Sequence, residues 1–296
     1  MAIDLDAIRQ KLNKLSGQNS AARFGPEQAT RVPCLRVFPE RREERMDPVV
    51  VEAPLALALG QDPWLTTMRT PGQDLDLALG LLLSEGVIRV ASDVARLAHC
   101  PDADPPESLV RIQLRSAIKK PAHRSVFASS SCGVCGTQAI EDLERQFPPV
   151  AQGLPLAEEV LLKATERLRP LQRVFQVTGA LHGAALMDER GEVLELAEDI
   201  GRHNAVDKVI GALLRRDELE RAAILAVTSR VGFEIAAKAW SAGLRALVAV
   251  GAPSDLAVRT CQRAGIRLAG FARNQRMNLY TERAPCSVEP DPLGRE

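Results

Sequence analysis

The sequence is poor in aromatic residues, in net charge and in long hydrophobic runs. Aromatic residues make up 3% of the 296 residues, too few for the stacking platforms that bind single-stranded nucleic acid. The 38 Lys+Arg balance the 38 Asp+Glu, which disfavours nucleic-acid and membrane-surface binders because such proteins normally carry excess positive charge. No apolar run reaches the roughly 18 residues of a membrane span. The best candidate, 75–83, is interrupted by Asp76 and Gly80.

Cysteine content and the first residues lead to expectations about the compartment. Six cysteines in a chain of this length are too few for a disulfide scaffold, so we expect reduced thiols. The chain starts with Asp4 and Asp6 and has no apolar signal core, which predicts a cytoplasmic protein. A composition of 46% hydrophobic and 26% charged residues is that of a globular protein with one large or two small cores.

The chain divides into four predicted regions. Residues 1–30 are predicted to be a poorly ordered leader and 284–296 a loose tail. Between them we predict a strand-rich subdomain at 31–127 and an α/β core at 128–283, because short apolar strands and helices alternate only in the second region. The predicted strands are 31–38, 49–59, 64–69, 94–99, 109–114, 222–228, 246–250 and 267–271. The predicted helices are 137–146, 157–168, 233–242 and 254–264, one beginning near Arg202, and one with Asp74 as its N-cap; the charged stretch 39–45 is interpreted as a solvated loop.

Two cysteines lie three positions apart where residues 129–136 read Ser-Ser-Ser-Cys-Gly-Val-Cys-Gly. Small neighbours leave Cys132 and Cys135 accessible, and the free N–H groups of the helix predicted after them favour the thiolate. A thiolate attacks sulfur, accepts a persulfide or binds a metal. A structural zinc site normally needs a second such pair, and the other cysteines are isolated. The zinc nucleobase deaminases need His-x-Glu or Cys-x-Glu, which is absent from the sequence.

Polar residues concentrate in two segments that contain glycine. Residues 178–184 read Thr-Gly-Ala-Leu-His-Gly-Ala, in which Gly183 permits close backbone approach to a ligand beside His182. Residues 198–208 read Glu-Asp-Ile-Gly-Arg-His-Asn-Ala-Val-Asp-Lys. The alternative interpretation is a polar helix start with its lysine in solvent, but two histidines in such contexts favour a site. The candidate residues of the second segment are Arg202, His203, Asn204, Asp207 and Lys208.

Two later segments suit an anionic ligand. Residues 228–234 follow an apolar strand at the kind of turn where α/β sheets bind ligands, and Ser229, Arg230 and free backbone amides suit phosphate there. Residues 270–281 place Arg273, Arg276 and Asn278 just after a strand. Arginine binds phosphate in a bidentate manner and asparagine can bind a purine edge, although an ordinary surface loop is the alternative. The stretch 228–283 has nine basic and three acidic residues, a net +6, which predicts one cationic end.

Taken in order, these motifs resemble the formate dehydrogenase accessory sulfurtransferase family (FdhD type). The resemblance covers 32–281 and includes Ser-Arg-x-x-Phe-Glu and the closing Phe-x-Arg…Asn-x-Tyr-Thr. It implies a cytidine-deaminase-like three-layer α/β/α core with an additional N-terminal strand-rich region, assembled as a homodimer. It also implies a sulfurtransferase that acts through a cysteine persulfide and is required for formate dehydrogenase activity.

The resemblance further implies the partners and roles of individual residues. A cysteine desulfurase would load sulfur on Cys132, with Cys135 assisting. The sulfur would then pass to the molybdenum bis-guanine-dinucleotide cofactor, a bound substrate; no permanent metal, nucleic acid or membrane is expected. A cofactor-binding chaperone without catalysis and a structural zinc protein are the alternatives. The cofactor would contact Phe271, Ala272, Arg273, Asn274, Gln275, Arg276, Asn278, His182, Arg202, His203, Asn204, Ser229 and Arg230.

Overall fold

The described part of the first half of the chain forms two small sheets and two α-helices. The computed structural model describes residues 28–115, 136–151 and 155–281, with side chains from Ala139 onward in the helix that begins at Gly136. The elements up to that helix, in chain order, are β1 (Ala29–Val37), β2 (Arg42–Val50), β3 (Ala53–Leu59), β4 (Asp62–Arg69), α1 (Asp74–Ser84), β5 (Val94–His99), β6 (Leu109–Leu114) and α2 (Gly136–Gln146). β1 and β2 form an antiparallel ribbon, and the other four strands form a sheet in the order β4-β3-β6-β5.

The second half forms one six-stranded sheet with helices on both faces. Its elements are α3 (Glu158–Leu168), α4 (Arg173–Thr178), β7 (His182–Met187), β8 (Val193–Asp199), α5 (Arg202–Arg215), β9 (Ile224–Val227), α6 (Phe233–Ser241), β10 (Ala246–Ala249), α7 (Asp255–Ala264), β11 (Arg267–Arg273) and β12 (Arg276–Thr281). The strand order is β8-β7-β9-β10-β11-β12. The three strands β9, β10 and β11 are parallel, and β7 and β12 run antiparallel to their neighbours in that group.

Side chains of the parallel strands alternate between two apolar clusters. Leu225 and Leu247 pack in the cluster that contains α1, α5, α6 and α7, whereas Ile224, Ala246 and Val248 pack in the cluster that contains α3. Strands that are buried on both faces in this way read as continuous apolar runs, which is why the sequence identified β9, β10 and β11 to within about two residues. The α/β prediction is confirmed. The deaminase-like core stays a prediction.

Helices α1 and α5 cross so closely that their backbones are in contact. A Cβ atom on Gly80 would lie 2.0 Å from the Asp207 carbonyl oxygen, and one on Gly211 would lie 1.8 Å from that of Asp76. No side chain fits either position, so glycine permits the close crossing. The apolar cluster around it also contains Leu55 of the four-stranded sheet. One cluster therefore contains residues of both predicted regions, and the division into 31–127 and 128–283 stays a prediction.

The stretch 39–45, predicted to be a loop, is largely strand. β2 begins at Arg42 and pairs with β1, with Leu35 opposite Glu44 and Val37 opposite Arg42. The ribbon is two strands wide and strongly solvent-exposed, with 50% of Leu35 and 64% of Val37 accessible. The prediction was wrong because an exposed ribbon tolerates charge and lacks the apolar alternation of a half-buried strand.

The predicted N-cap of α1 is also wrong. Gln73 occupies the cap position with a left-handed φ of 55°, and Asp74 is the first helical residue. The buried Asp74 carboxylate accepts hydrogen bonds from Nε and Nη2 of Arg69, each at 2.9 Å. A buried carboxylate needs such a bidentate cation, and the sequence alone gave no sign that β4 would supply one.

The described helices, the free cysteines and the two ends of the chain bear on the remaining sequence predictions. Among the described helices, none combines the length and apolarity that a membrane crossing requires. Cys34, Cys100 and Cys261 are free thiols, and burial raises the pKa of Cys261. The predicted leader falls almost wholly, and the tail entirely, outside the described residues.

Candidate functional site

The predicted ligand residues gather along one edge of the six-stranded sheet. The carboxyl ends of β9, β10 and β11 meet at this edge because the three strands are parallel. Since β7 is antiparallel to β9, its first residue, His182, lies there too, opposite Asp199 at the end of β8. Helices α5 and α6 begin beside it, directly after β8 and the β9 turn. This is the edge at which open α/β sheets bind ligands.

At this edge the surroundings of His182 favour the neutral form of its imidazole. Its pKa lies below the usual value, first because the ring is half-buried and then because Arg202 and His203 are close; Asp199 opposes the shift. Gly183 behind it donates its N–H to the Thr228 hydroxyl at 2.9 Å. This bond joins the start of β7 to the residue that precedes Ser229 and Arg230.

The first turn of α5 places Arg202 and His203 at the edge. Both side chains are half-exposed. His203 Nε2 lies 2.5 Å from Oε2 of Glu234, the second residue of α6. That contact lowers the pKa of the Glu234 carboxyl, which keeps it ionised. The pair fixes the starts of α5 and α6 relative to each other. It was missed from the sequence because a carboxylate at a helix start commonly does no more than interact with the helix dipole.

Ser229 and Arg230 differ in their availability to a ligand. Ser229 is 6% exposed, and its hydroxyl donates to the Arg230 carbonyl at 2.9 Å. Arg230 is exposed, and no acidic group of the described residues lies within ion-pair distance of its guanidinium. The backbone here is closely packed, since a Cβ atom on Gly251 would lie 2.9 Å from the Ser229 carbonyl oxygen. Arg230 therefore faces solvent from a rigid turn.

The segment 270–281, for which a loop was the alternative, is the hairpin of β11 and β12. β11 continues past the end of β10, since Val248 pairs with Ala269 and the strand ends at Arg273. Asn274 and Gln275 form the turn with φ values of 53° and 56°, as two-residue hairpins of type I′ require. Exposed residues of the hairpin are Phe271, Arg273, Asn274, Gln275, Arg276 and Asn278; Ala272 is fully buried.

Most cations of the +6 stretch are neutralised by acids, several from outside it. Lys238 pairs with Asp207, Arg245 with Glu189, Arg259 with Asp255, Arg263 with Glu144, and Arg267 with Glu158. By contrast, Arg230, Arg273 and Arg276 of this stretch have no acidic group within ion-pair distance among the described residues, and neither does Arg202 at the start of α5. We call these four arginines at the carboxyl end of the sheet the open edge.

Asn204 and Lys208 face inward rather than toward the edge. The Asn204 amide donates to the Met68 carbonyl at 2.7 Å and to Asp199 Oδ1 at 3.1 Å. Lys208 Nζ lies 2.7 Å from Asp199 Oδ2 and donates to the Thr70 carbonyl at 2.8 Å. Lys208 is 0% exposed, so the interpretation that placed it in solvent is wrong.

Thr70 completes this arrangement from the four-stranded sheet. Its N–H donates to Asp199 Oδ2 at 3.1 Å, and its hydroxyl accepts from the Ile200 N–H at 3.2 Å. We call Thr70, Asp199, Asn204 and Lys208 the buried clamp. The clamp joins the end of β4 to the start of α5, and the local sequence around Thr70 contains no signal for it.

The two motif cysteines, Cys132 and Cys135, lie outside the described residues. Helix α2 begins at Gly136, directly after them, one residue before the predicted start. Within the described ranges no group of three or more His, Cys, Asp or Glu side chains is placed to hold a metal ion. The assignment of these thiols therefore stays a prediction, as does cofactor binding at the edge.

Comparison with known proteins gives consistent similarities over most of the chain. Residues 50–286 match the model of the FdhD/NarQ family. The chain is 41% identical to the sulfur carrier protein FdhD of Anaeromyxobacter dehalogenans, over 79% of this chain and 86% of that protein. It is also 41% identical to the sulfur carrier protein FdhD of Nocardia farcinica, over 83% and 91%.

A solved structure is similar in fold. It is described as a candidate formate dehydrogenase accessory protein from Desulfotalea psychrophila. The TM-score is 0.68 at 24% identity, and the similarity covers 87% of this chain and 98% of that one. The arrangement of strands and helices described above is therefore shared with a known fold.

Proposed function

The chain belongs to the FdhD/NarQ family, and from this premise we propose that it is a sulfur carrier that serves the maturation of formate dehydrogenase. Relatives named sulfur carrier protein support the transfer of sulfur, and the accessory-protein name of the structural neighbour suggests the client. The proposed donor is a cysteine desulfurase, and the proposed assembly is a homodimer.

In the chemical step, the Cys132 thiolate attacks the terminal sulfur of the donor's persulfide. A new S–S bond forms on Cys132 while the donor's S–S bond breaks, and the donor cysteine leaves as a thiolate. No external oxidant or reductant is needed for this exchange. Cys135 is proposed to assist the later release of the sulfur.

The proposed acceptor is the molybdenum bis-guanine-dinucleotide cofactor, held as a substrate at the open edge. The observation that carries this proposal is that Arg202, Arg230, Arg273 and Arg276 lack acidic partners in the described part of the chain. Unpaired guanidinium groups suit the pyrophosphate groups of such a ligand. The exposed Phe271 ring offers a stacking surface for a base.

Intact-mass spectrometry tests the sulfur-carrying step. After incubation with an active desulfurase and cysteine, the protein should gain one sulfur atom, and Cys132→Ser should abolish the gain. Cys34→Ser is the matched control, because Cys34 is a free thiol of the β1–β2 ribbon outside the motif, and it should load normally. No adduct on the wild-type protein would contradict the proposal.

Two further outcomes would favour the alternatives. If Cys132→Ala supported full formate dehydrogenase activity in cells that lack the endogenous protein, the chain would be a cofactor-binding chaperone. Stoichiometric zinc in freshly purified, reduced protein would favour a structural metal site at the cysteine pair.

A further inference from the structure

The β11–β12 hairpin contains a bulge with an unusual backbone conformation. Gly270 pairs with Asn278 and Arg273 with Arg276, so Phe271 and Ala272 together lie opposite Met277. Phe271 has a φ of 53° and 38% of its surface is exposed. A bulky residue in the left-handed region is destabilised and persists only where its surroundings fix it.

Two hydrogen bonds fix this bulge, one on each side of the strained residue. The Phe271 N–H donates to the Gly251 carbonyl at 3.1 Å, which ties it to the turn beside Arg230. The Ala272 carbonyl accepts from the Thr165 hydroxyl at 2.7 Å, in a fully buried contact. Thr165 lies on α3, in the helix layer on the far side of the sheet from α5 and α6.

The Thr165 hydroxyl donates to a different kind of acceptor from the hydroxyls of two other helical threonines, Thr178 and Thr260. Thr260 donates to the Leu256 carbonyl at 2.7 Å, and Thr178 donates to the Val174 carbonyl at 2.9 Å. These are the usual bonds to the preceding turn of the same helix. Thr165 instead donates to a strand 107 residues away in the sequence. The contact therefore fixes tertiary position rather than the helix.

Next to this contact, a second side chain of α3 holds the hairpin. Glu166 accepts from Gln275 Nε2 at 2.8 Å at the tip of the turn. Arg273 and Arg276 flank that tip. Consecutive residues of α3 thus support the part of the hairpin that carries the exposed ring and two of the open-edge arginines.

We propose that Thr165 is a positioning residue for the ligand site: its hydroxyl holds the bulge that presents Phe271 at the open edge. The proposal rests on the proposed function, in which that edge binds a guanine-dinucleotide substrate. Thr165 itself is 4% exposed and does not touch the ligand. Thr165→Val keeps the shape of the side chain but leaves the buried Ala272 carbonyl without its donor, so the bulge relaxes.

Titration with guanosine diphosphate tests the proposal. Thr165→Val should weaken binding about fivefold or more, Thr165→Ser should restore it, and the matched control Thr260→Val should bind like the wild type. In a Phe271→Ala background, Thr165→Val should cause a smaller loss than in the wild type, because part of its effect acts through Phe271. Equal affinity of Thr165→Val and the wild type, or full additivity with Phe271→Ala, would overturn the proposal.

A ligand-free measurement separates this proposal from the function on which it rests. Thr165→Val should increase the rate of tryptic cleavage after Arg273 or Arg276, whereas Thr260→Val should not. An unchanged cleavage rate in Thr165→Val overturns the positioning role even if the wild type binds nucleotide. If the wild type fails to bind nucleotide while Thr165→Val loosens the hairpin, the proposed ligand site is wrong, and the role of Thr165 in binding is overturned with it.

Discussion

The buried clamp and the open edge are adjacent, and they differ in how their charges are satisfied. In the clamp, Lys208 and Asp199 are both inaccessible and paired at 2.7 Å. At the edge, Arg202 begins the same helix but has no acidic partner among the described residues. Residues six positions apart in one motif thus have opposite environments. The same motif therefore fastens α5 to β4 and leaves the Arg202 guanidinium without an acidic partner among the described residues.

Helix geometry explains why one motif serves both regions. Asn204 and Lys208 are four positions apart and therefore share a face, and that face contacts Met68 and Thr70 at the end of β4. Arg202 lies on a different face of the first turn. A charge that is desolvated must be paired, whereas a half-exposed arginine stays available to an anion.

The largest expected effect comes from breaking the clamp. Lys208→Met leaves the Asp199 carboxylate buried without a cation, which should lower the free energy of unfolding by about 3–5 kcal/mol. Arg259→Met is the matched control, because Arg259 pairs with Asp255 on the surface, and it should cost at most about 1 kcal/mol. Urea denaturation measures both. Similar small losses in the two variants would remove the distinction between the clamp and a surface pair.

An intermediate effect on binding is expected at the edge. Arg230→Ala and Arg273→Ala should each weaken the binding of guanosine diphosphate about tenfold, the scale of one charge-assisted hydrogen bond. The free energy of unfolding should change by less than about 0.5 kcal/mol, because both residues are exposed. Calorimetric titration provides the affinity, with Arg259→Ala as the control. If a variant lowered the free energy of unfolding but left the affinity unchanged, that arginine would stabilise the fold rather than bind the ligand.

The smallest effect concerns the pH dependence of stability through His182. The folded chain holds the pKa of His182 below its usual value, so the unfolded chain takes up the proton first as the pH falls. The free energy of unfolding should therefore decrease between about pH 7 and about pH 5. This contribution is absent in His182→Gln, which should show a shallower decrease in urea denaturation. Identical slopes would mean that burial and the neighbouring cations do not act on His182.

The parallel strands and their helices could be predicted from the sequence because their environment is uniform. β9, β10 and β11 are buried on both faces, and α7 has Ser254 as an N-cap whose hydroxyl accepts from the Ala257 N–H at 3.2 Å. β7 and β8 were missed. β7 begins with a histidine and small residues, and β8 ends in Glu198 and Asp199, which read as solvated although both are buried.

The gathering of site residues could be anticipated, but their division into two roles could not. Arg230, Arg273 and Arg276 were identified from residue chemistry and position after strands, and they lie at or beyond the expected edge. Asn204 was assigned to the ligand on the same grounds, yet its amide bonds to Met68 and Asp199. The Asn204 side chain points inward because β4 packs against this part of α5. The sequence of 198–208 does not show where β4 packs.

In the proposed function, sulfur carried by Cys132 reaches a substrate held at the open edge. The most direct test expresses Arg230→Ala in cells that lack the endogenous protein and measures two quantities in the same culture. These are the persulfide occupancy of Cys132 and the activity of formate dehydrogenase. We expect normal persulfide occupancy and a roughly tenfold lower formate dehydrogenase activity, in line with the loss of one charge-assisted contact. Full dehydrogenase activity at normal occupancy would contradict it.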